Sequence, residues 1–163
     1  MIYEVAGDIL LSKADAIAHG VAANDPMDQG LAKSLHEFLP VLHKDFHHWC
    51  HQKHPKPGEA WVWGGPNGIR VISLLTQEGG YGHGTRPGKA STTNVNHALR
   101  ALKKVIQKEK FTSVALPALA TGVGGLVWDE VLPLIKNQLG DLEADIYVYS
   151  SYLQGEQAKE PNL

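Results

Sequence analysis

Short apolar, β-favouring runs alternate with segments of helical spacing along this chain, the pattern of an α/β sheet with helices packed on both faces. Six runs read as strands, at residues 2–6, 15–21, 59–63, 69–76, 113–119 and 144–150. Val71-Ile72-Ser73-Leu74-Leu75 is apolar on both sides of its alternation, so it belongs to an interior strand covered on each face. Gly65-Pro66-Asn67-Gly68 lies between two of the runs and predicts a hairpin, because Asn-Gly supplies the positive φ angles of a tight turn. The sheet is therefore expected to be mixed.

Val95, Ala98, Leu99, Leu102, Val105 and Ile106 fall on one helical stripe, with Thr92 or Thr93 placed to cap its start. A second helix should follow Trp128, with Asp129 and Glu130 in the first turn where the helix dipole favours acids. Leu31, Leu35, Phe38 and Leu39 mark a third, and Pro40 divides it from a fourth that carries Leu42, Phe46 and Trp49. Residues 154–163 are polar and without periodicity, which predicts one domain over 1–153 and a flexible C-terminal tail over 154–163.

A chain of 163 residues is long enough to bury a single core. The net charge of −2 gives no global reason for strong binding to nucleic acid or an acidic membrane. The single cysteine, Cys50, excludes an internal disulfide and fits a reducing compartment. No apolar run approaches the ~18 residues of a membrane span, and the first residues lack the pattern of a secretion signal. The expected location is cytoplasmic, with no membrane contact.

The strongest local signal is Pro117-Ala118-Leu119-Ala120-Thr121-Gly122-Val123-Gly124-Gly125, which leads from an apolar strand into a helical segment. Glycines beyond a strand end let backbone N–H groups approach a phosphate without obstruction by Cβ. The absence of a Gly-Lys-Ser/Thr ending excludes a triphosphate loop, and Val127 stands where the third glycine of a dinucleotide fingerprint would fall. A purely structural turn accounts for this segment equally well when it is taken alone.

Three other segments carry polar groups of interest. In Gly7-Asp8-Ile9, Asp8 can accept from an exocyclic amine or close an Asx-turn on its own backbone. From His19 to Ala32 a buried strand breaks into a loop bearing Asn24, Asp25, Asp28 and Gln29 beside a helix start. That loop suits hydroxyl recognition and water activation, or simply a capped helix entrance. The glycine-rich segment 79–88 has the composition of a mobile loop; His83 has acid–base capacity there, and Arg86 or Lys89 could reach a phosphate. His43, His47, His51 and His54 line up on one helix stripe, yet no carboxylate or cysteine completes a ligand set, so a solvated stripe is favoured and no metal is expected.

In this order the strand-end Gly7-Asp8-Ile9, the Asn24-bearing loop and Ala120-Thr121-Gly122-Val123-Gly124-Gly125 resemble the macro domain family, over nearly the whole chain. Met27-Asp28-Gln29-Gly30-Leu31-Ala32 and the Gly124 to Val131 pattern are most similar to the branch that contains terminal ADP-ribose protein glycohydrolase. The resemblance implies a six-stranded mixed sheet sandwiched between helices, a three-layer α/β/α domain with ADP-ribose in a cleft across the strand ends. Asp8 would take the adenine amine and the Ile9 backbone the ring edge, while Ser150, Ser151 and Tyr152 would border the adenine. Thr121, Gly122, Val123, Gly124, Gly125 and Leu126 would wrap the diphosphate, and Asn24 and Gly30 would approach the distal ribose.

Glycohydrolases of that branch use a lysine at the end of the fourth strand and an aspartate in the second loop. The matching positions here are Gln77 and Gly124, and neither can serve as that amine or that acid. Another hydrolase branch positions water with an Asn-Ala-Ala-Asn segment and a following aspartate; this chain keeps Ala22-Ala23-Asn24 and offers Asp28, or else Asp25. The resemblance thus implies a hydrolase in which Asn24 and Asp28 assist water, releasing ADP-ribose from protein, nucleic acid or a metabolite such as O-acetyl-ADP-ribose. The alternatives are a non-catalytic ADP-ribose reader or nucleotide sensor, and a phosphatase acting on ADP-ribose 1″-phosphate. No cofactor is implied, and a monomer is expected.

Overall fold

In a computed structural model describing residues 1–163, the six runs pair into one sheet in the order β1 (Ile2–Gly7), β6 (Asp145–Tyr152), β5 (Ser113–Pro117), β2 (Ala16–Ala22), β4 (Arg70–Gln77), β3 (Ala60–Gly64). Every pair is parallel except β3 with β4. That exception is the expected hairpin, and its turn holds Asn67 and Gly68 at φ 58° and 77°. The five parallel strands all end at one edge, so Gly7, Ala22, Gln77, Pro117 and Tyr152 come to the same rim. The β5 ladder stops at Pro117, short of the expected Leu119, and the chain turns away through Ala120 at φ 63°.

Four α-helices complete the layers: α1 (Gly30–Phe38), α2 (Pro40–Lys53), α3 (Thr92–Glu109) and α4 (Trp128–Leu139). Alternation along the strands decides which side each residue serves. Ala16, Ala18, Ile72, Leu74, Val114, Leu116, Ile146 and Val148 point to α3 and α4, where they meet Val95, Leu99, Leu102, Val131 and Ile135 in one buried cluster. Their strand neighbours Val21, Leu75 and Val71 point to the opposite side, against Met27, Leu35, Leu42, Phe46 and Cys50. Cys50 is fully buried there. The cap of α3 is Ser91 rather than either threonine: its side chain accepts from Asn94 N–H at 3.0 Å, which places Thr92 and Thr93 already inside the first turn.

The tail expected to be flexible is instead packed on the fold. Two helices cannot cover the whole of their face, and the residues after β6 lie over the part built from Ala115, Tyr147 and Tyr149, burying Ala158 against them. Glu160 is buried and fully engaged: one carboxylate oxygen accepts from Lys13 N–H at 2.9 Å, the other from Ser12 Oγ at 2.6 Å and Tyr149 Oη at 2.9 Å. Tyr147 Oη donates to the Pro161 carbonyl. Burial pushes the Tyr147 phenol up to about 12, so it remains a donor.

Candidate functional site

Two adjoining cavities open at the rim where the parallel strands end. The larger, about 520 Å³, is walled by His19 and Gly20 of β2, by Asp25, Asp28 and Gln29 of the β2–α1 loop, by the first turn of α1, by Gln77 and Arg86, and by the β5–α4 loop including Gly122, Val123 and Gly124. The second, about 510 Å³, is walled by Ile9, Ser34, Tyr149, Ser150 and Tyr152, and shares Gly30, Leu31, Pro117 and Ala118 with the first. Together they make one trough from the end of β6 to the end of β4, where ligands of open α/β sheets bind.

The β5–α4 loop supplies its middle. Thr121 Oγ1 donates to the Ala118 carbonyl at 2.7 Å, Gly125 N–H to Gly122 at 3.0 Å and Leu126 N–H to Ala120 at 3.0 Å. The N–H groups of Gly122, Val123 and Gly124 make no hydrogen bond within the chain. These three residues, and not Thr121, Gly125 or Leu126, wall the cleft. Three donors on consecutive residues form a concavity suited to phosphate oxygens. Gly125, at φ 79°, is the hinge that closes the turn.

The β2–α1 loop is shaped by Asp25. Its carboxylate accepts from Ala22 N–H at 2.9 Å and Met27 N–H at 2.8 Å, its carbonyl accepts from His47 Nε2 at 3.0 Å, and Met27 is wholly buried. Burial pushes the Asp25 carboxyl above the usual carboxylate range, and the two N–H groups pull it part of the way back. Asp25 is thus a buried brace of the loop. Asp28, by contrast, stands exposed on the cleft wall, with its carboxylate 3.4 Å from Arg86 Nη1.

Other sequence candidates lie away from the walls. Asn24, at φ 56°, gives its N–H to Cys50 Sγ at 3.3 Å, and its side-chain oxygen is buried without a partner; it lines neither cavity. Asp8 is buried beneath the rim, one oxygen accepting from Leu10 N–H at 3.0 Å and the other from Gly155 N–H at 2.9 Å. It closes the Asx-turn that the sequence offered as one of two readings, and ties down the segment after β6. Ser151 is exposed outside both cavities.

The structure also brings in His19, to which the motif gave no role, and fixes the surroundings of Gln77 and Gly124. His19 is buried on the cleft floor, with Nε2 2.8 Å from Ser73 Oγ and Nδ1 unpartnered; burial lowers its pKa to about 4 and keeps it neutral. His19 lies opposite Ser73 in the β2–β4 register, a pairing that the sequence alone does not fix. Gln77 is buried at the end of β4, and its amide donates to the Gly88 carbonyl at 3.0 Å. At Gly124 a Cβ would come within 2.7 Å of the Ala120 carbonyl and 3.0 Å of Ala90 Cβ, so the loop packs too closely there to admit a side chain. In the histidine stripe His43 lies 4.3 Å from His47 and also stacks at 4.0 Å on His36 of α1, and no three groups are placed to hold a metal.

The family model described as Macro domain matches residues 19–135, well over half of the chain. The chain belongs to the macro domain family. Among curated relatives, the DNA ADP-ribosyl glycohydrolase of Mycobacterium tuberculosis is 28% identical over 155 residues, covering 90% of this chain and 42% of that protein. The DNA ADP-ribosyl transferase-DNA ADP-ribosyl glycohydrolase fusion protein of Thermosipho africanus is 26% identical over 159 residues, covering 89% of this chain and 40% of its own length. The macro domain described here therefore spans about two fifths of these relatives. Among solved structures, the macrodomain of Thermus aquaticus DarG superposes with a TM-score of 0.80 at 26% identity, covering 92% of this chain and 98% of that one. Thermosipho africanus DarTG in complex with ADP-ribose shares the fold at TM-score 0.81 and 22% identity, over 96% of this chain and 42% of that one.

Proposed function

We propose that this macro domain binds ADP-ribose along the trough and hydrolyses the bond between its distal ribose and an attached group. The observation that carries the reading is the continuity of the trough: an apolar end at Ile9, Leu31 and Tyr152, three unpaired N–H groups at Gly122–Gly124, and a solvent-accessible carboxylate at Asp28. Those parts suit an adenine, a diphosphate and an anomeric carbon in that order. The glycohydrolase relatives support the same chemistry.

In the proposed step Asp28 takes a proton from water as the water oxygen bonds to the anomeric carbon; the bond to the attached group breaks, its leaving atom takes up a proton from solvent, and Asp28 returns its own to solvent. Binding energy from the diphosphate and adenine ends holds the ribose in place for this attack. Asn24, off the walls, would act only through the shape of its loop. A route through a lysine amine is not proposed, because by the family resemblance the matching position is Gln77. A second reading, a reader that binds ADP-ribose without turnover, is favoured by the closed packing at Gly124.

Calorimetric titration with ADP-ribose, followed by release assays on glutamate-, serine- and thymine-linked substrates, separates these readings. Binding with release on one linkage is expected. Binding without release on any of them leaves the reader, and no heat at about one millimolar ligand, a free energy near −4 kcal/mol, overturns both.

A further inference from the structure

Arg86 is the one lysine or arginine among the residues that wall the main cleft. Its partner is Asp28, at 3.4 Å, and both side chains are open to water at 75% and 49% exposure. A pair this exposed is weak and screened by salt. The other acid on the wall, Asp25, has each carboxylate oxygen occupied by a backbone N–H. With His19 neutral, the charged groups facing the cleft are therefore two acids and one arginine.

A diphosphate seated against Gly122–Gly124 adds two negative charges to that wall. The N–H groups there supply partial charge only, so the one full countercharge on the cleft wall is the guanidinium that Asp28 holds. The base of its segment is tied down: Glu78 N–H donates to the Lys89 carbonyl at 3.0 Å, Gly88 N–H to Glu78 at 2.7 Å, and Gln77 to Gly88 at 3.0 Å. Lys89 packs against Gly125, its Nζ 3.1 Å from where a Cβ there would stand, and is not among the residues that wall the cleft. The backbone that carries Arg86 is thus anchored beside the cleft, and its exposed side chain keeps the reach to exchange partners. A guanidinium matches two phosphate oxygens in a bidentate geometry that a single 3.4 Å contact to Asp28 lacks.

We propose that Asp28 and Arg86 form an exchange latch across the cleft mouth. In the empty cleft Arg86 rests on Asp28; when a diphosphate enters, Arg86 moves to it and the Asp28 carboxylate is uncovered for the distal ribose. Arg86 is then a specificity-determining residue that favours diphosphate-bearing ligands, and Asp28 competes with the ligand for it. This rests on the trough being the ADP-ribose site.

The test is calorimetric titration of the wild type, Arg86→Gln, Arg86→Lys and Asp28→Asn with ADP-ribose and with adenosine, at two salt concentrations. Arg86→Gln is expected to weaken ADP-ribose about tenfold, to flatten the salt dependence and to leave adenosine unchanged, while Arg86→Lys recovers part of the loss. Asp28→Asn is expected to tighten ADP-ribose a few-fold by releasing the arginine. Equal losses for both ligands in Arg86→Gln would mark a structural role and overturn the latch. So would an unchanged ADP-ribose affinity in that variant, or weaker binding in Asp28→Asn. Absence of ADP-ribose binding by the wild type would instead strike the reading of the trough itself.

Discussion

Asp25 and Asp28 stand three residues apart in one loop, and their surroundings assign them different work. Asp25 spends both oxygens on backbone N–H groups, whereas Asp28 faces the cleft with only an exposed arginine beside it. Asp28→Ala is therefore expected to lower turnover by about two orders of magnitude or more while ADP-ribose still binds, at least as tightly as to the wild type because Arg86 is released; a release assay with unchanged turnover would remove Asp28 from the reaction. Gly124 makes the opposite case, since its missing side chain has no space left for it. Gly124→Asp is expected to cost about 1–3 kcal/mol by overpacking, read from the urea midpoint, without raising activity. The polar loop was legible in the sequence as a cluster. Which of its members faces the cleft was not, because that depends on backbone dihedrals at Asn24 and Met27, both in the left-handed region.

The helices and strands were legible because their apolar spacing is regular: all six strands and all four helices occur where periodicity puts them, and the Asn67-Gly68 turn reverses the chain as expected. The segment after β6 was not, because it has no periodicity to read. It is held by single groups, above all the Glu160 carboxylate, which takes up Ser12, Lys13 and Tyr149 together. Glu160→Ala leaves the buried Tyr149 hydroxyl without its acceptor and is expected to cost on the order of 2–3 kcal/mol, measured by urea denaturation. A change within a few tenths of that unit would mean that the segment does not brace the sheet. Asp8 links this brace to the binding rim through Gly155, which explains why a residue that resembles an adenine contact is occupied in holding the backbone.

Over the whole molecule, the fold's acid sensitivity follows from histidines that it keeps neutral. Burial lowers His19 and His43 from 6.5 to about 4, with the positive charge of His47 and His36 adding to the effect at His43. In the unfolded chain both take up a proton near 6.5; in the folded chain they do not until about 4. The unfolded state thus binds more protons in this window, and stability is full above it and falls as pH is lowered through it. Asp25 acts in the other direction, because its raised carboxyl takes a proton more readily in the folded state. For the fully buried His19 the loss is on the order of 3 kcal/mol once the pH has fallen to about 4, so the thermal midpoint should drop between pH 7 and pH 4, and the drop should shrink in His19→Gln. An acid-insensitive midpoint would show that these rings are not kept neutral.

The same five parallel strand ends that make the core also make the trough, so binding and fold can be read together. Backbone amide spectra recorded during titration with ADP-ribose test this most directly. The expected result is saturable shifts at Ile9, Gly30, Gly122, Val123, Gly124 and Tyr152, with the opposite end of the sheet, around Lys110 and Leu142, unmoved. Shifts confined to other surfaces, or none at saturating ligand, would contradict it.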